Sequence, residues 1–141
     1  MKLLVFCVMA FSFIFADGCK SNLTGKKTMK HTISEVETLS GLKFPTDSEI
    51  IYNNDDEGRG GSDYLELIVF SSAQAKFSGE TYAGGGNEAL KLLKDSMPQY
   101  DFGAVKNQDS FESVWENKSG KWQAKSVETS KGFYVRLENF K

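Results

Sequence analysis

The sequence opens with its longest apolar run, and shorter apolar and polar segments alternate along the rest of the chain. Leu3 to Ala16 contains a single polar residue, Ser12, and follows the positively charged Lys2. A membrane-spanning helix needs about 20 apolar residues, so this run is short for a transmembrane segment but typical of a secretory signal. We predict that residues 1–18 are a signal peptide that is removed on export.

The residues after this run are polar and basic. Lys20 to Lys30 contains four lysines, no acidic residue and only two large apolar residues. This composition is typical of a solvated linker. We predict a flexible tether at residues 19–32, with His31, the only histidine of the chain, exposed in it. Residues 33–141 are long enough for one domain with a single hydrophobic core.

Two segments have the apolar spacing of a helix packed on a core. Ser34 and Glu37 fit a capping box before the first segment, and Gly41 provides a stop signal after it. Asn87, a favoured N-cap residue, precedes the second segment, which we expect to end before Pro98.

Alternating apolar and polar residues predict five strands. Glu49 to Tyr52 and Asp63 to Phe70 form a hairpin, joined by the polar, glycine-rich loop Asn53 to Ser62. Phe111 to Asn139 contains two further turn signals and predicts a three-stranded antiparallel meander.

Two-residue turns at Ser119–Gly120 and Lys131–Gly132 agree on one apolar face for this meander. The residues on that face are Trp115, Trp122, Ala124, Phe133, Val135 and Leu137. Lys125 and Arg136 lie on the other face, where a mixed-charge pattern predicts exposure to solvent. We expect the helix after Asn87 to pack on the tryptophan side.

Together these elements predict an α+β fold. We expect an antiparallel sheet, made of an N-terminal hairpin and a C-terminal three-stranded meander, with the helices packed on one face.

Composition excludes several classes of function. The chain has 17 basic and 19 acidic residues and a net charge of −2, so it lacks the basic surplus of a nucleic-acid binder. The predicted mature chain contains one histidine and one cysteine, fewer than a zinc site requires. We predict no metal site, no cofactor and no catalytic residue.

Cys19 directly follows the small residue Gly18 at the end of the apolar run. This junction resembles the lipobox of bacterial lipoproteins, in which the cysteine is alkylated with diacylglycerol and becomes the new N-terminus. Ala16 and Asp17 depart from the usual residues of that motif. Ordinary signal-peptidase cleavage after Ala16 is the alternative, and it would release a soluble secreted protein.

The layout of the whole chain is similar to that of small bacterial envelope lipoproteins whose roles are unknown. The resemblance depends on the signal with Cys19, the tether, the strand entry Pro45-Thr46-Asp47-Ser48, one long helix and the terminal meander. It implies an exported protein that is attached to the membrane through its N-terminal lipid, and it assigns no functional residues.

Two groups of residues are candidates for binding. Asp55, Asp56 and Glu57 offer oxygen ligands in the hairpin loop, although their spacing does not match a calcium-binding EF-hand. Trp115 and Trp122 are of the type that stacks on a sugar or a protein partner. Their predicted position on the apolar face favours core packing instead.

We therefore expect a noncatalytic, lipid-anchored binding or accessory module of the bacterial cell envelope, with a protein partner in the envelope. The alternative is a secreted or anchored enzyme inhibitor that inserts the loop Asn53 to Ser62 into an active site. A third hypothesis, a hydrolase with two catalytic carboxylates, would require two acidic side chains facing each other across a cleft.

Overall fold

The computed structural model describes residues 31–56, 64–75 and 80–141. The predicted signal peptide, Cys19, most of the predicted tether and Glu57 lie outside the described residues. Of Asp56 only the backbone is described.

The described residues form two helices and six strands. The helices are α1 (Ile33–Ser40) and α2 (Gly86–Ser96). The strands are β1 (Glu49–Asp56), β2 (Tyr64–Ser71), β3 (Glu80–Tyr82), β4 (Ser110–Asn117), β5 (Gly120–Thr129) and β6 (Gly132–Phe140).

The six strands form one sheet in the order β1-β2-β6-β5-β4-β3, and each strand pairs antiparallel with its neighbours. The predicted α+β class and antiparallel sheet are therefore confirmed. The division into a hairpin and a three-stranded meander is incomplete, because β6 pairs with β2 along its whole length and β3 extends the far edge. The two predicted units are parts of one continuous sheet.

The first helix begins earlier than predicted. Thr32, not Ser34, is the N-cap: its hydroxyl accepts a hydrogen bond from the backbone of Glu35, and the Glu35 carboxylate accepts one from the backbone of Thr32. This reciprocal pair is a capping box. The helix ends where predicted, at Gly41, which has a φ of 79°.

The second helix also begins before its predicted cap. Gly85 is the N-cap, and Asn87 is the second residue of the helix. A Cβ on Gly86 would lie 2.7 Å from the carbonyl oxygen of Asn107, so glycine lets the helix start against the segment before β4. The helix ends just before Pro98, as predicted.

Both meander turns lie one residue earlier than predicted. Asn117 pairs with Gly120, and Thr129 pairs with Gly132, so each glycine is the first residue of a strand. A Cβ on Gly120 would lie 2.6 Å from the carbonyl oxygen of Phe140, so glycine permits a close approach of strands. Because the pairing register changes by an even number of residues, every side chain keeps its predicted face.

The sheet buries both of its faces. On one, here called the tryptophan face, α1 packs over residues of β2, β5 and β6, with Val36 and Trp122 in its core. On the other, here called the α2 face, α2 packs over Ile68, Val127 and Tyr134.

The prediction that the helices share one face is therefore wrong, and so is the placement of α2 against the tryptophans. Lys125 and Arg136 made the α2 face look solvent-exposed, but both are largely buried and paired with acidic residues. Val127 and Tyr134, on the same strands, are 2% and 1% exposed and supply the apolar surface on which α2 packs.

Candidate functional site

A cavity of about 260 Å³ lies between α1 and the tryptophan face. It is at the end of the sheet where β2 begins and β6 ends. The side chains that define it include His31, Leu39, Asp55, Leu65, Trp122 and Asn139. A dry cavity of about 150 Å³ holds a benzene molecule, so this space is large enough for a substituted single ring.

The floor of the cavity is one row of residues across the sheet. Asp55 pairs with Leu65, Leu65 with Asn139, and Asn139 with Trp122. Trp122 pairs in turn with Trp115. The strand order thus brings together Asp55 and Trp122, which the sequence singled out for unrelated reasons.

Asp55 lies on strand β1, which continues through Asp56 into the region predicted to be a loop. The backbone of Asp56 pairs with that of Tyr64. In the part of the chain that the structure describes, no three His, Cys, Asp or Glu side chains are grouped as they would be around a metal ion.

His31 is not the exposed tether residue that the sequence predicted. Its side chain is 21% exposed, and Nε2 lies 3.5 Å from Oδ2 of Asp55. The same Nε2 atom is buried and has no hydrogen-bond partner. The signal that could have identified this residue is the capping box of Thr32 and Glu35, because it extends the ordered domain to the residue next to His31.

The two tryptophans stack on each other instead of forming an exposed binding platform, and Trp122 lines the cavity. Their rings are nearly parallel, with an interplanar angle of 9° and a centroid distance of 6.1 Å. Trp122 is 1% exposed. Its indole N–H donates to Ser119 Oγ at 3.1 Å, so the polar edge of the ring is satisfied within the protein.

The turn between β4 and β5 holds α1 over these tryptophans. The Ser119 hydroxyl donates to the Leu39 carbonyl oxygen, and the Asn117 amide donates to the same oxygen at 2.9 Å. The Trp115 indole donates to the Ser40 carbonyl oxygen at 2.8 Å. The last carbonyls of a helix have no partner within the helix, so these bonds satisfy groups that would otherwise be unpaired.

Ser119, His31 and Asp55 all line the cavity, and these are the residue types of a hydrolytic triad. They are not connected as one. The Ser119 hydroxyl contacts Leu39 and Asn117, and Nε2 of His31 has no hydrogen-bond partner. The hydrogen bond from serine to histidine that activates a nucleophile is absent between these two described residues.

A second polar cluster lies on the α2 face. Arg136 contacts Glu66 at 3.0 Å and Glu138 at 2.6 Å. The Tyr64 hydroxyl donates to Glu138 at 2.7 Å, and the Ser96 hydroxyl, at the end of α2, donates to Glu66. Burial, followed by the hydrogen bond to Glu138, raises the pKa of Tyr64 above its ordinary value. One guanidinium is thus shared by two acidic side chains, and the cluster connects α2 to the sheet.

Within residues 31–56, 64–75 and 80–141, no helix combines the length and apolarity needed to span a membrane. Comparison of the chain with family models, with curated proteins and with solved structures found no match. Inferences about function therefore depend on the chemistry of the site itself.

Proposed function

We propose that this protein is a noncatalytic, lipid-anchored binding module of the bacterial cell envelope, and that the cavity beside Trp122 holds a small ligand. The observation that carries the proposal is the 260 Å³ space itself, which is lined by His31 and Asp55 at the end next to β1. Preformed cavities with apolar walls and a few polar groups are typical of small-molecule sites.

The position of the apolar walls supports ligand binding. Leu39, which is 36% exposed, provides most of the apolar surface, and Leu65 and Trp122 lie beside it with little exposed area. Asp55 and His31 supply polar side chains at the β1 side. A molecule with an apolar body could bury that body against Leu39 and place its polar group toward β1.

The hydrogen bonds of α1 support a permanent site. Leu39 is the roof residue, and its carbonyl oxygen accepts from both Ser119 and Asn117 of the β4–β5 turn. The roof is therefore tied to the sheet that forms the floor. A rigid site loses little conformational entropy when a ligand binds.

The contacts that the polar side chains make within the protein support a noncatalytic role. Ser119 is engaged with Leu39 and is not activated by His31. On the α2 face, the carboxylates of Glu66 and Glu138 both contact Arg136, which compensates their charge. Carboxylate catalysis requires one group as an acid and the other as a base or nucleophile, placed on either side of the substrate. Here both carboxylates are engaged by the same guanidinium.

The anchoring part of the proposal rests on the sequence. Cys7 would be removed with the signal, which leaves Cys19 as the one cysteine of the mature chain. An unpaired thiol is unusual in an oxidising compartment, and acylation would account for it. As a flexible linker, residues 20–30 would then separate the domain from its anchor by roughly 20 Å.

Mass spectrometry of the protein isolated from its native membrane fraction tests both the lipid anchor and the bound ligand. Under denaturing conditions we expect a diacylglycerol-modified N-terminus at Cys19, and we expect Cys19→Ser to release the protein from the membrane. Under native conditions we expect an additional small molecule bound to the parent protein.

Leu39→Trp is the blocking variant, because Leu39 lines the cavity and is 36% exposed. It should abolish the bound mass. Val114→Trp is the matched control: it introduces the same side chain at a position that is 60% exposed on the other face, and it should retain the ligand. An unmodified N-terminus at Asp17 would disprove anchoring, and a ligand that survives Leu39→Trp would place binding elsewhere.

A further inference from the structure

We infer that one end of the sheet is a docking surface for an anionic lipid bilayer. The inference builds on the proposed lipid anchor at Cys19, because it concerns the side of the domain that faces the membrane. The surface, here called the basic corner, consists of four exposed residues: Lys118, Lys121, Phe140 and Lys141.

Strand pairing assembles the basic corner. Lys121 pairs with Phe140, and Phe140, the last residue of β6, pairs with Tyr64, the first residue of β2. Residues directly opposite each other in a sheet share a face, so these three form the last row of the α2 face at this end. Lys118 lies in the turn just before β5, and Lys141 directly follows β6.

Phe140 provides the apolar surface of the basic corner. It is 44% exposed, and its ring packs against that of Tyr64 at a centroid distance of 5.3 Å. The helix α2, which covers apolar residues farther along this face, ends at Ser96, and the Ser96 hydroxyl contacts Glu66, two residues before the row of Phe140 is reached. An exposed aromatic ring that enters the headgroup region of a bilayer removes its apolar area from water.

The charges of the basic corner favour an anionic surface. Three lysines lie in it, and Glu116, which pairs with Lys121, is the acidic residue of the neighbouring strand. Asp56 is at the other end of the row, two strands away from Phe140. The corner therefore has a surplus of two positive charges, although the chain as a whole has a net charge of −2. Anionic headgroups attract lysines that come within a Debye length of the membrane surface.

The tether joins the domain at the same end of the sheet. His31 contacts Asp55, one residue before the position on β1 that pairs with Tyr64, and His31 and Lys141 line the same cavity. Residues 20–30 contain four lysines and no acidic residue, and as a flexible linker they would span roughly 20 Å. Anchoring at this distance gives the corner a high effective concentration at the bilayer, so a small surface is sufficient to orient the domain.

The orientation of the domain on nanodiscs tests the inference. The isotope-labelled mature chain, residues 19–141, is coupled to a maleimide lipid through Cys19, its one cysteine. The nanodiscs contain phosphatidylcholine, either alone or mixed with anionic phosphatidylglycerol, and a trace of lipid with a gadolinium chelate on its headgroup. The relaxation rates of the backbone amides then report how close each residue lies to the headgroups.

In the anionic nanodiscs we expect severalfold faster relaxation at Lys121 and Phe140 than at Ser130 and Lys131. The turn with Ser130 and Lys131 is at the far end of β5, about 30 Å away at about 3.3 Å per residue. The difference should become severalfold smaller in phosphatidylcholine alone. It should also shrink when the salt is raised from about 0.1 M to about 1 M, because the Debye length falls from about 10 Å to about 3 Å.

A variant of the basic corner combines Lys118→Gln, Lys121→Gln and Phe140→Ser, all at exposed positions. It leaves the tether unchanged and should reduce the difference between the two ends of the sheet severalfold. If the variant does not fold, the comparison of the two lipid compositions with the parent protein still decides the question.

The matched control combines Lys91→Gln, Lys94→Gln and Tyr82→Ser. The two lysines are exposed on α2, and Tyr82, on β3, is 46% exposed. The control therefore loses the same charge and one exposed aromatic ring outside the basic corner. It should orient like the parent protein.

The inference is overturned if both ends of the sheet relax alike in anionic nanodiscs, if phosphatidylcholine alone gives the same orientation, or if the corner variant orients like the control. The last result would mean that the lysines of the tether alone turn the domain.

Failure of this inference is distinguishable from failure of the proposed function, because the maleimide lipid supplies an anchor that does not depend on native acylation. A native N-terminus at Asp17 would reject the proposed anchor and leave the measured lipid preference unchanged. An acylated Cys19 together with a domain that has no preferred orientation would reject only the docking surface.

Discussion

The indole N–H of Trp115 donates a 2.8 Å hydrogen bond to the carbonyl oxygen of Ser40, at the last residue of α1. The two residues are 75 positions apart in the sequence. This bond, together with those from the β4–β5 turn, fastens a short helix to the sheet. It therefore holds α1, which carries Leu39, over the sheet residues that line the cavity.

Trp115→Phe should destabilise the protein by about 1 kcal/mol. The ring can still stack on Trp122, but the donor to Ser40 is lost. The loss is moderate because the Asn117 amide also donates to the Ser40 oxygen, at 3.2 Å. Urea unfolding measures the free energy, and hydrogen exchange of the α1 amides should show faster opening of that helix.

Tyr82→Phe is the control for this variant. Tyr82 is 46% exposed, and its hydroxyl donates to the neighbouring Glu80 at 3.3 Å. Its removal should change the free energy of unfolding by less than about 0.5 kcal/mol. Equal losses in the two variants would contradict a specific role for the bond to Ser40.

Trp122→Ala should cost about 3 to 5 kcal/mol in the free energy of unfolding, the range for truncation of a buried aromatic residue. Trp122 is 1% exposed, packs against Trp115 and forms one wall of the cavity. Thermal and urea unfolding measure the loss. Val114→Ala, at a position that is 60% exposed, should stay within about 0.5 kcal/mol of the parent. If Trp122→Ala melts at the same temperature as the parent protein, the tryptophan does not stabilise the core.

Arg136→Met should destabilise the domain by about 3 to 5 kcal/mol, because it leaves two buried acidic side chains without their shared cation. Glu66 and Glu138 are 8% and 15% exposed at their side chains. Urea unfolding at neutral pH measures the effect.

The matched variant combines Arg136→Met with Glu66→Gln and Glu138→Gln. It removes all three charges together and should recover much of the lost stability, since no uncompensated charge remains buried. If the triple variant is as unstable as the single one, the loss arises from packing around Arg136 rather than from charge.

Acid should destabilise the protein through exposed carboxyl groups that accept hydrogen bonds. The pKa is held below its ordinary value at four such groups: Glu35, Glu37, Asp47 and Asp101. For Glu37 the main cause is the backbone N–H of Phe44, which donates at 2.8 Å. The folded state thus binds these protons less readily than the unfolded state does.

The direction of the pH effect on stability follows from this difference between the folded and unfolded states. Stabilisation is complete above the ordinary pKa values of 3.8 for aspartate and 4.5 for glutamate, and it is lost as the pH falls through the lower folded-state values. Urea unfolding from about pH 7 down to about pH 3 should show a falling free energy below about pH 4.5. Glu37→Gln should make this decline shallower, and a free energy that rises on acidification would refute the assignment.

The faces of the strands follow from sequence alone. Leu65 and Leu67 have the opposite parity to Ile68, and in the structure they are buried on opposite faces of the sheet, as a period of two requires. The first meander turn was predicted one residue too late, which changes the pairing register by two residues. Because a change by an even number keeps every side chain on its face, Trp115 and Trp122 still lie on the predicted side. Local alternation is a property of the strand and does not depend on its partner.

The sides on which the helices pack could not be predicted in the same way. Val127 and Tyr134 alternate with the tryptophan-face residues, but Lys125 and Arg136 on the same strands suggested an exposed surface. Only the tertiary structure places acidic residues beside these two cations and α2 over the apolar ones. A charged residue in a strand must have its charge compensated, but the sequence does not show whether water or an oppositely charged side chain does this.

The cavity shows the same division. Sequence by itself identified Asp55 and Trp122 as candidate binding residues and placed Trp122 on a strand, but it placed Asp55 in a loop, whereas the structure places it on β1. The pairing of β2 with β6 decided that the two share one row, and the packing of α1 decided that His31 covers it. Side-chain chemistry and strand alternation are local, whereas a cavity requires contacts among residues distant in the chain that only the folded sheet brings within reach.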